Sequence, residues 1–115
     1  MTKIPIIRQD DGELLGYVKK EASGWAAQTL FGYVFARASD QASAEEAVRS
    51  QGLAILQGIW QYYDKQDKAW YPCLLKEVFP NRVIVIRTNT MGYQDPEFYK
   101  LVSIVHPQET DLIKS

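Results

Sequence analysis

Cys73 and His106 are the side chains best suited to covalent catalysis, and each is the only residue of its type among the 115 residues. A nucleophilic thiol needs a base within hydrogen-bonding distance, so this pair is the one dyad that the composition allows. Cys73 lies in an apolar run, where a free cysteine usually packs as a small hydrophobic side chain. His106 precedes Pro107 near the end of the chain. We therefore predict no catalytic residue and keep a small enzyme as the last of three alternatives.

Aspartates are the remaining candidates for metal ligands. Asp10 and Asp11 lie in one predicted turn, and Asp64 and Asp67 lie at another. Aspartate is common in turns because its side chain accepts hydrogen bonds from nearby backbone N–H groups. The single cysteine excludes an intramolecular disulfide and a cysteine-based zinc site. No P-loop or comparable catalytic motif occurs, and we predict no metal and no cofactor.

Aromatic side chains are the most informative candidates for binding, since nine of the fourteen Trp, Tyr and Phe residues follow Gly58. Tyr62 and Tyr63 are adjacent, as are Trp70 and Tyr71, so in strands the members of each pair point to opposite faces. Exposed Trp and Tyr are favoured as anchors at protein interfaces. The alternative is that the first half of the chain covers them as core.

The segment 90–97 is predicted to be a long connection, since most connections have about 4–6 residues. Met91 and Tyr93 are apolar enough to anchor a partner, and loops held by a rigid scaffold are common binding sites. The alternative is an ordinary surface loop in which Tyr93 folds back onto the sheet. The candidate binding residues are Met91, Tyr93, Trp70, Tyr71 and Tyr62.

A hairpin is predicted at the centre of the core. Apolar runs at 71–78 and 83–86 flank residues 79–82, where Pro80 and Asn81 suit the second and third positions of a type I turn. The run 83–86 is β-branched throughout, which favours a strand, and it has no polar face. We therefore expect both of its faces to be covered.

One helix is predicted, at about 43–52. Ser43 and Glu46 fit a capping box, and Gly52 fits the left-handed position that follows a helix. Residues 53–58 form either a further helical turn or a crossing strand.

Strands are predicted at 4–9, 14–20, 25–31, 59–64 and 98–105, with an Asp-Gly hairpin turn at 11–12. Residues 33–37 are a fourth strand or the third strand continued past a bulge at Gly32. The tail after Pro107 is expected to be frayed. The fold class is α+β, with antiparallel sheets and one main helix in the order β-β-β-(β)-α, then β-β-β-loop-β. We expect one compact domain, 1–115, with sub-units 1–52 and 53–115.

The first half resembles the three-strand-plus-helix module of AP2 domains and of the arm-binding domains of tyrosine recombinases. Trp25 to Phe35, followed by the helix start at Ser43, carries the likeness. Those families insert Arg and Lys from the sheet into the major groove of DNA. The third strand here has no basic residue, so the resemblance implies the shape without those contacts.

The second half is similar to a Tudor-type SH3-like barrel, from Trp60 to Thr88. An aromatic strand, a polar turn, the strand containing Trp-Tyr-Pro-Cys-Leu and a Val-rich strand follow one another in both. Tudor domains bind methylated side chains in an aromatic cage. The resemblance places that cage at Tyr62, Trp70, Tyr71 and Tyr93, with Asp64 or Asp95 as the acidic partner.

Net charge and hydropathy argue against nucleic acid and membrane as the main binding partners. The formal charge is −1 and Lys19-Lys20 is the longest basic run, whereas nucleic-acid binders usually carry a clustered basic surplus. No apolar span approaches a membrane helix and no signal segment is apparent, so we expect a soluble, cytoplasmic protein. The leading expectation is a non-enzymatic protein–protein interaction or assembly module, alone or as a homodimer. A nucleic-acid-associated module is the alternative.

Overall fold

The computed structural model describes residues 3–89, 91, 93 and 101–115. It is an α+β protein with two antiparallel sheets and a single α-helix in this described part. The chain divides into two compact units, Met1–Leu56 and Gln57–Ser115. The boundary falls later than position 52 because Leu53 packs against the core of the first unit. Among the described residues, no helix combines the length and apolar character that a membrane span requires.

The first unit is a four-stranded sheet with a helix packed on one face. Neighbouring strands are antiparallel in the order β1-β2-β3-β4. Gly32, at φ +91°, allows a reversal rather than a bulge, so β4 is a separate strand. The elements are β1 (Ile4–Ile7), β2 (Leu14–Glu21), β3 (Gly24–Gln28), β4 (Val34–Ala38), α1 (Gln41–Gln51) and a 3-10 turn (Ala54–Leu56). The core is formed by the buried residues Ile6, Leu15, Val18, Ala27, Ala44 and Val48.

The predicted hairpin between β1 and β2 is confirmed, with a longer loop than a two-residue turn. Arg8 and Asp11 form an ion pair at 2.6 Å, and Asp11 also accepts the Glu13 N–H at 3.1 Å. These bonds to the charged form lower the pKa of Asp11 to about 2, with the Arg8 side chain as the largest cause. Asp11 therefore organises the turn.

The helix begins earlier than the capping box predicts, so the assignment of Ser43 as N-cap is wrong. Asp40 has extended backbone angles, and its Oδ1 accepts the Ser43 N–H at 2.7 Å. Ser43 is instead inside the first turn. Asp and Ser are comparable N-caps, so the sequence pattern alone could not choose between them.

Gly52 ends the helix without the left-handed conformation that we expected. Its φ is −55°, and its N–H donates to the Val48 carbonyl at 2.8 Å. A Cβ at this position would lie 2.6 Å from the carbonyl oxygens of both Leu15 and Val48. Glycine is needed here because strand β2 approaches closely. The chain then makes the 3-10 turn at Ala54–Leu56. Of the two alternatives for residues 53–58, the further helical turn is therefore the one that forms, and not the crossing strand.

The second unit is a five-stranded antiparallel sheet in the order β8-β7-β6-β5-β9. The predicted central hairpin is confirmed as β6 and β7, which pair from Cys73↔Arg87 to Phe79↔Arg82 with a bulge between Leu75 and Glu77. The strands are β5 (Trp60–Asp64), β6 (Ala69–Phe79), β7 (Arg82–Arg87), β8 (Leu101–Val105) and β9 (Leu112–Lys114). Positions 98–100 of the last predicted strand lie outside the described residues.

The C-terminal tail is a strand, so the expected fraying is wrong. β9 pairs with β5, with Leu112 opposite Tyr62 and Lys114 opposite Trp60. Leu112 is buried, and its contacts are to residues distant in sequence. A strand of three residues is too short to show the period of two that predicts strands.

One face of this sheet forms the main core. Alternation along the paired strands places Trp60, Tyr62, Cys73, Val83 and Val85 on this inner face, and all five are buried. On the outer face Ile86 is also buried, whereas Ile84 is half-buried. We expected both faces of β7 to be covered. On the outer face this is confirmed at Ile86, whereas the cover is incomplete at Ile84.

The cap assignment predicts that Asp40→Ala lowers the melting midpoint by about a few degrees. Ser43→Ala should lower it less, because it removes the hydroxyl bond to Asp40 but keeps the backbone N–H bond. The bond to the Ser43 N–H lowers the pKa of Asp40, so this contribution is present above the pKa of the unfolded aspartate and is lost as the pH falls through the folded value. Asp40→Asn keeps the acceptor oxygen without the titration. Thermal melts between neutral and acidic pH measure both effects. Equal midpoints for wild type and Asp40→Ala would contradict the assignment.

The burial pattern of β7 predicts unequal costs of truncation. Ile86→Ala should destabilise by about 2–4 kcal/mol and Val85→Ala by somewhat less, because each leaves a cavity in a covered face. Ile84→Ala should cost less than Ile86→Ala since Ile84 is partly solvated already. Urea unfolding with fluorescence detection measures the three values. An equal loss for Ile84 and Ile86 would show that both positions are covered alike.

Candidate functional site

The strand pair β5–β6 divides the predicted aromatic residues between two faces. Tyr62 pairs with Tyr71 on the inner face, with ring centroids 6.0 Å apart. Tyr63 pairs with Trp70 on the outer face, with the rings 5.5 Å apart and edge to face. Trp70 is exposed. The structure therefore brings Tyr62 and Tyr71 together and separates Trp70 from them.

Tyr71 is engaged by two charged groups of its own chain. Its hydroxyl donates to Asp67 Oδ2 at 2.7 Å, which raises the pKa of Tyr71 because the bond stabilises the neutral phenol. The Arg87 guanidinium lies 3.3 Å from the centre of the same ring. A cation–π contact of this kind occupies the ring face that a cationic ligand would use. Asp95, one of the two candidate acids for a cage, lies outside the described residues.

Tyr62 is 1% exposed, and its hydroxyl has no hydrogen-bond partner within the part of the chain that the structure describes. Burial is the largest cause of the raised pKa of Tyr62. A buried hydroxyl without a partner is costly. Tyr62 is therefore a core residue whose hydroxyl forms no hydrogen bond with the described residues.

Asn89, which the sequence analysis did not single out, bonds to the backbone of Met91 and Tyr93. Asn89 Oδ1 accepts the N–H groups of Met91 at 2.9 Å and of Tyr93 at 3.0 Å. The Asn89 N–H donates to the Tyr93 carbonyl at 2.9 Å. Asparagine commonly bonds backbone groups two residues on in turns, and this local signal could have identified it.

Met91 and Tyr93 project from that turn into solvent. Their exposed fractions are 73% and 66%, and they are the two most exposed large apolar residues of the described chain. Tyr93 therefore does not fold back onto the sheet. The predicted binding residues thus form two groups, an exposed pair at Met91 and Tyr93 and an inner pair at Tyr62 and Tyr71, with Trp70 in neither.

A pocket of about 480 Å³ lies between β5 and β8. Two other strands separate β5 from β8 in the sheet, so the sheet must curl to bring them to one pocket. The sequence analysis did not foresee this pocket, because strand pairing and curvature created it. It is lined by Tyr62, Tyr63, Asp64, Lys65, Gln66, Val102, Ser103, Ile104, Val105 and Asp111.

Two carboxylates in the pocket wall are held by the backbone. Asp64 Oδ1 accepts the N–H groups of Gln66 at 2.8 Å and of Asp67 at 3.1 Å. Asp111 Oδ2 accepts the Gln108 N–H at 3.1 Å. These bonds fix the orientation of both side chains. The described lining also includes one cationic residue, Lys65.

Cys73 and His106 occupy different environments. Cys73 is buried, and this burial raises the pKa of its thiol to about 12. His106 is exposed and has a φ of +48° just after β8. A thiol that stays protonated at neutral pH is a poor nucleophile. Within the described residues, no group of three His, Cys, Asp or Glu side chains could hold a metal ion.

Comparison with protein-family profiles, with curated protein sequences and with solved structures finds no match for the chain. The AP2-type and Tudor-type resemblances therefore stay predictions.

The burial of Cys73 predicts slow modification by a thiol reagent. At pH 8 the native protein should react far more slowly than the protein in denaturant, because the thiol is both neutral and covered. Absorbance of the released thiolate from an aromatic disulfide reagent measures the rate. Labelling of native protein at the denatured rate would contradict this assignment.

Proposed function

We propose that the protein is a non-enzymatic protein-binding or assembly module that docks through the Asn89 turn, defined as Asn89, Met91 and Tyr93. The observation that carries the proposal is the exposure of Met91 and Tyr93 on a turn held by three hydrogen bonds to Asn89. Large apolar side chains on a fixed turn lose little conformational entropy when they bind. Methionine adapts to irregular surfaces, and tyrosine adds a hydroxyl for orientation.

The scaffold beneath this turn supports a binding role. β7 is hydrogen-bonded on both sides, to β6 and to β8, and the Thr88 N–H extends the β6 ladder with a 2.9 Å bond to the Pro72 carbonyl. The turn thus leaves a strand whose ladder is complete. Loops on such rigid elements are common sites of recognition.

The strand order also supports the likeness to an SH3-like barrel in the second unit. Four consecutive strands form a meander, and the fifth returns to pair with the first. The pocket shared by β5 and β8 requires the curling that a small barrel has. A methyl-ammonium cage is not part of the proposal, because Arg87 covers Tyr71 and Trp70 lies on the outer face. We also propose a cytoplasmic location, which the free and buried Cys73 supports.

The proposal predicts that Met91→Ala combined with Tyr93→Ala weakens association strongly at near-normal stability. Both side chains are exposed, so their removal should change the melting midpoint little, while the loss of two anchors should weaken binding at least about tenfold. Light scattering measures self-association, and affinity capture followed by titration of the purified partner measures binding.

The matched control is Ile7→Ala, which removes an exposed apolar side chain from the first unit. This variant should keep both stability and association. If the double variant instead melts at a lower temperature and keeps its oligomeric state and partners, the Asn89 turn is structural and the proposal is wrong.

A nucleic-acid-associated role is the second candidate, and one observation in the first unit favours it. Lys19 and Arg37 flank Ala26 across β2, β3 and β4, on the sheet face opposite the helix core. Glu21 forms a 3.1 Å ion pair with Arg37 and offsets part of this charge. Binding to a DNA duplex that weakens steeply with salt and is lost in Lys19→Ala would favour this candidate over the first.

A further inference from the structure

The chain contains three sulfur atoms, from one cysteine and two methionines. Cys73 is fully buried, whereas Met91 is the most exposed large apolar residue of the described chain. Met1 lies outside the described residues. Thiolates and exposed thioethers are the usual targets of mild oxidants, so exposure decides which of the two described sulfur atoms can react.

Cys73 is protected against oxidation in two ways. Its side chain lies on the inner face of the second sheet, where Cys73 pairs with Trp60. Burial also raises the pKa of the thiol to about 12, so the reactive thiolate is scarcely populated at neutral pH. A small oxidant in solution therefore meets a sulfur that is both covered and protonated.

Met91 offers the opposite conditions. Its side chain is 73% exposed, so a small oxidant can approach from solvent. A thioether carries no proton on its sulfur, and its lone pairs are available for reaction at any physiological pH. Met91 is therefore the described sulfur atom that an oxidant in solution can reach.

The Asn89 turn is held through the backbone of Met91 and not through its side chain. Asn89 Oδ1 accepts the N–H groups of Met91 at 2.9 Å and of Tyr93 at 3.0 Å. The Asn89 N–H donates to the Tyr93 carbonyl at 2.9 Å. The thioether takes part in none of these three bonds. An oxygen added to the sulfur should therefore change the exposed surface and leave the turn in place.

We propose that Met91 is a site of reversible oxidation by hydroperoxides, and that its sulfoxide weakens docking through the Asn89 turn. In this reaction a lone pair of the Met91 sulfur attacks the terminal oxygen of the hydroperoxide. An S–O bond forms as the O–O bond breaks, so the sulfur loses two electrons and the peroxide gains them. The proton of the transferred hydroxyl passes to the leaving group, which departs as water or an alcohol.

Oxidation changes the property of Met91 on which docking depends. Methionine is a flexible apolar side chain that adapts to irregular surfaces, whereas its sulfoxide is polar and chiral. A sulfoxide oxygen that enters an apolar interface loses its hydrogen bonds to water, and this loss is costly. Tyr93 remains as a second anchor, so the expected effect is weaker association and not its complete loss.

This inference rests on the proposed function, because it assigns a form of regulation to the same docking turn. The two can still fail separately. The rate of oxidation at Met91 is a property of the isolated chain, whereas the effect on association requires that the turn docks.

The first experiment treats the full native chain with hydrogen peroxide and follows each sulfur by peptide mass mapping. Met91 should oxidise at a rate within about tenfold of that of N-acetylmethionine amide, because its sulfur is accessible. Cys73 should stay unmodified over the same interval. Two methionine sulfoxide reductases, one for each epimer, should remove the added oxygen. Thermal melts of the oxidised chain should give an unchanged midpoint.

The second experiment measures association before and after oxidation, by light scattering with the chain itself as the probe and by titration of the purified partner. Oxidation should lower the affinity at least about fivefold, and the reductases should restore it. Retention on a phenyl matrix, an apolar probe that needs no partner, should fall and recover in parallel.

Met91→Leu is the matched control, because leucine is apolar and cannot form a sulfoxide. The affinity of this variant before treatment is its own reference, and peroxide should not change that affinity. Since the variant retains Met1, it also shows whether oxidation of Met1 has any effect on association.

Four results would overturn the inference. They are oxidation of Met91 more than about tenfold slower than that of the reference compound, a lowered melting midpoint after oxidation, unchanged association of the oxidised wild type, and an equal loss of association in oxidised Met91→Leu. Unchanged association after oxidation, while the double variant at Met91 and Tyr93 associates weakly, would refute the regulation alone. Normal association of that double variant would refute the docking site and the regulation together.

Discussion

The pairing of β5 on both of its sides is the constraint on which the second unit depends. β6 and β9 both hydrogen-bond to β5, so its side chains must alternate strictly between the two faces. Trp60, Tyr62 and Asp64 then all point inward and are all buried. A slip of one residue would place Gln61 and Tyr63 in the core instead. The burial of Trp60 and Tyr62 thus fixes the register of three strands at once.

The same register decides which chemistry reaches the surface. It sets Tyr62 against Tyr71 and leaves Tyr63 and Trp70 on the outer face. It also places Asp64 at the end of β5, where its carboxylate accepts the two backbone N–H groups of the following turn. A carboxylate in this position stabilises the turn and lines the pocket beside β8. One side chain therefore serves both the fold and a candidate site.

Short polar side chains organise turns in both units in the same way. Asp11, Asp40, Asn89 and Asp111 each accept a backbone N–H two to four residues away in sequence. Each bond satisfies a donor that a turn or a helix end would otherwise leave unpaired. At Asn89 this local chemistry has a functional consequence, because it holds Met91 and Tyr93 in an exposed position. Asp11 and Asp64, two of the four aspartates considered as metal ligands, accept backbone N–H groups of their own turns.

The sequence by itself determined the features that depend on near neighbours. The β-branched run at 83–86, the Asp-Gly turn and the position of the helix followed from propensity and spacing, and they give the α+β class correctly. Cap choice was only half determined, because Asp40 and Ser43 are both good caps and the start of the helix depends on how its buried face docks on the sheet. Helix propensity also does not explain why residue 52 must be glycine. Glycine is required there because the Leu15 carbonyl of β2 lies too close for a Cβ atom.

Only the tertiary structure decided the features that join distant parts of the chain. β9 exists because Leu112 packs opposite Tyr62, and no local pattern of three residues could predict that pairing. The pocket depends on the curling of a sheet whose contributing strands are separated by two others. The burial of Cys73 and the exposure of Tyr93 likewise depend on which strands cover them. Side-chain type sets what a residue can do, but long-range pairing sets whether solvent or a partner can reach it.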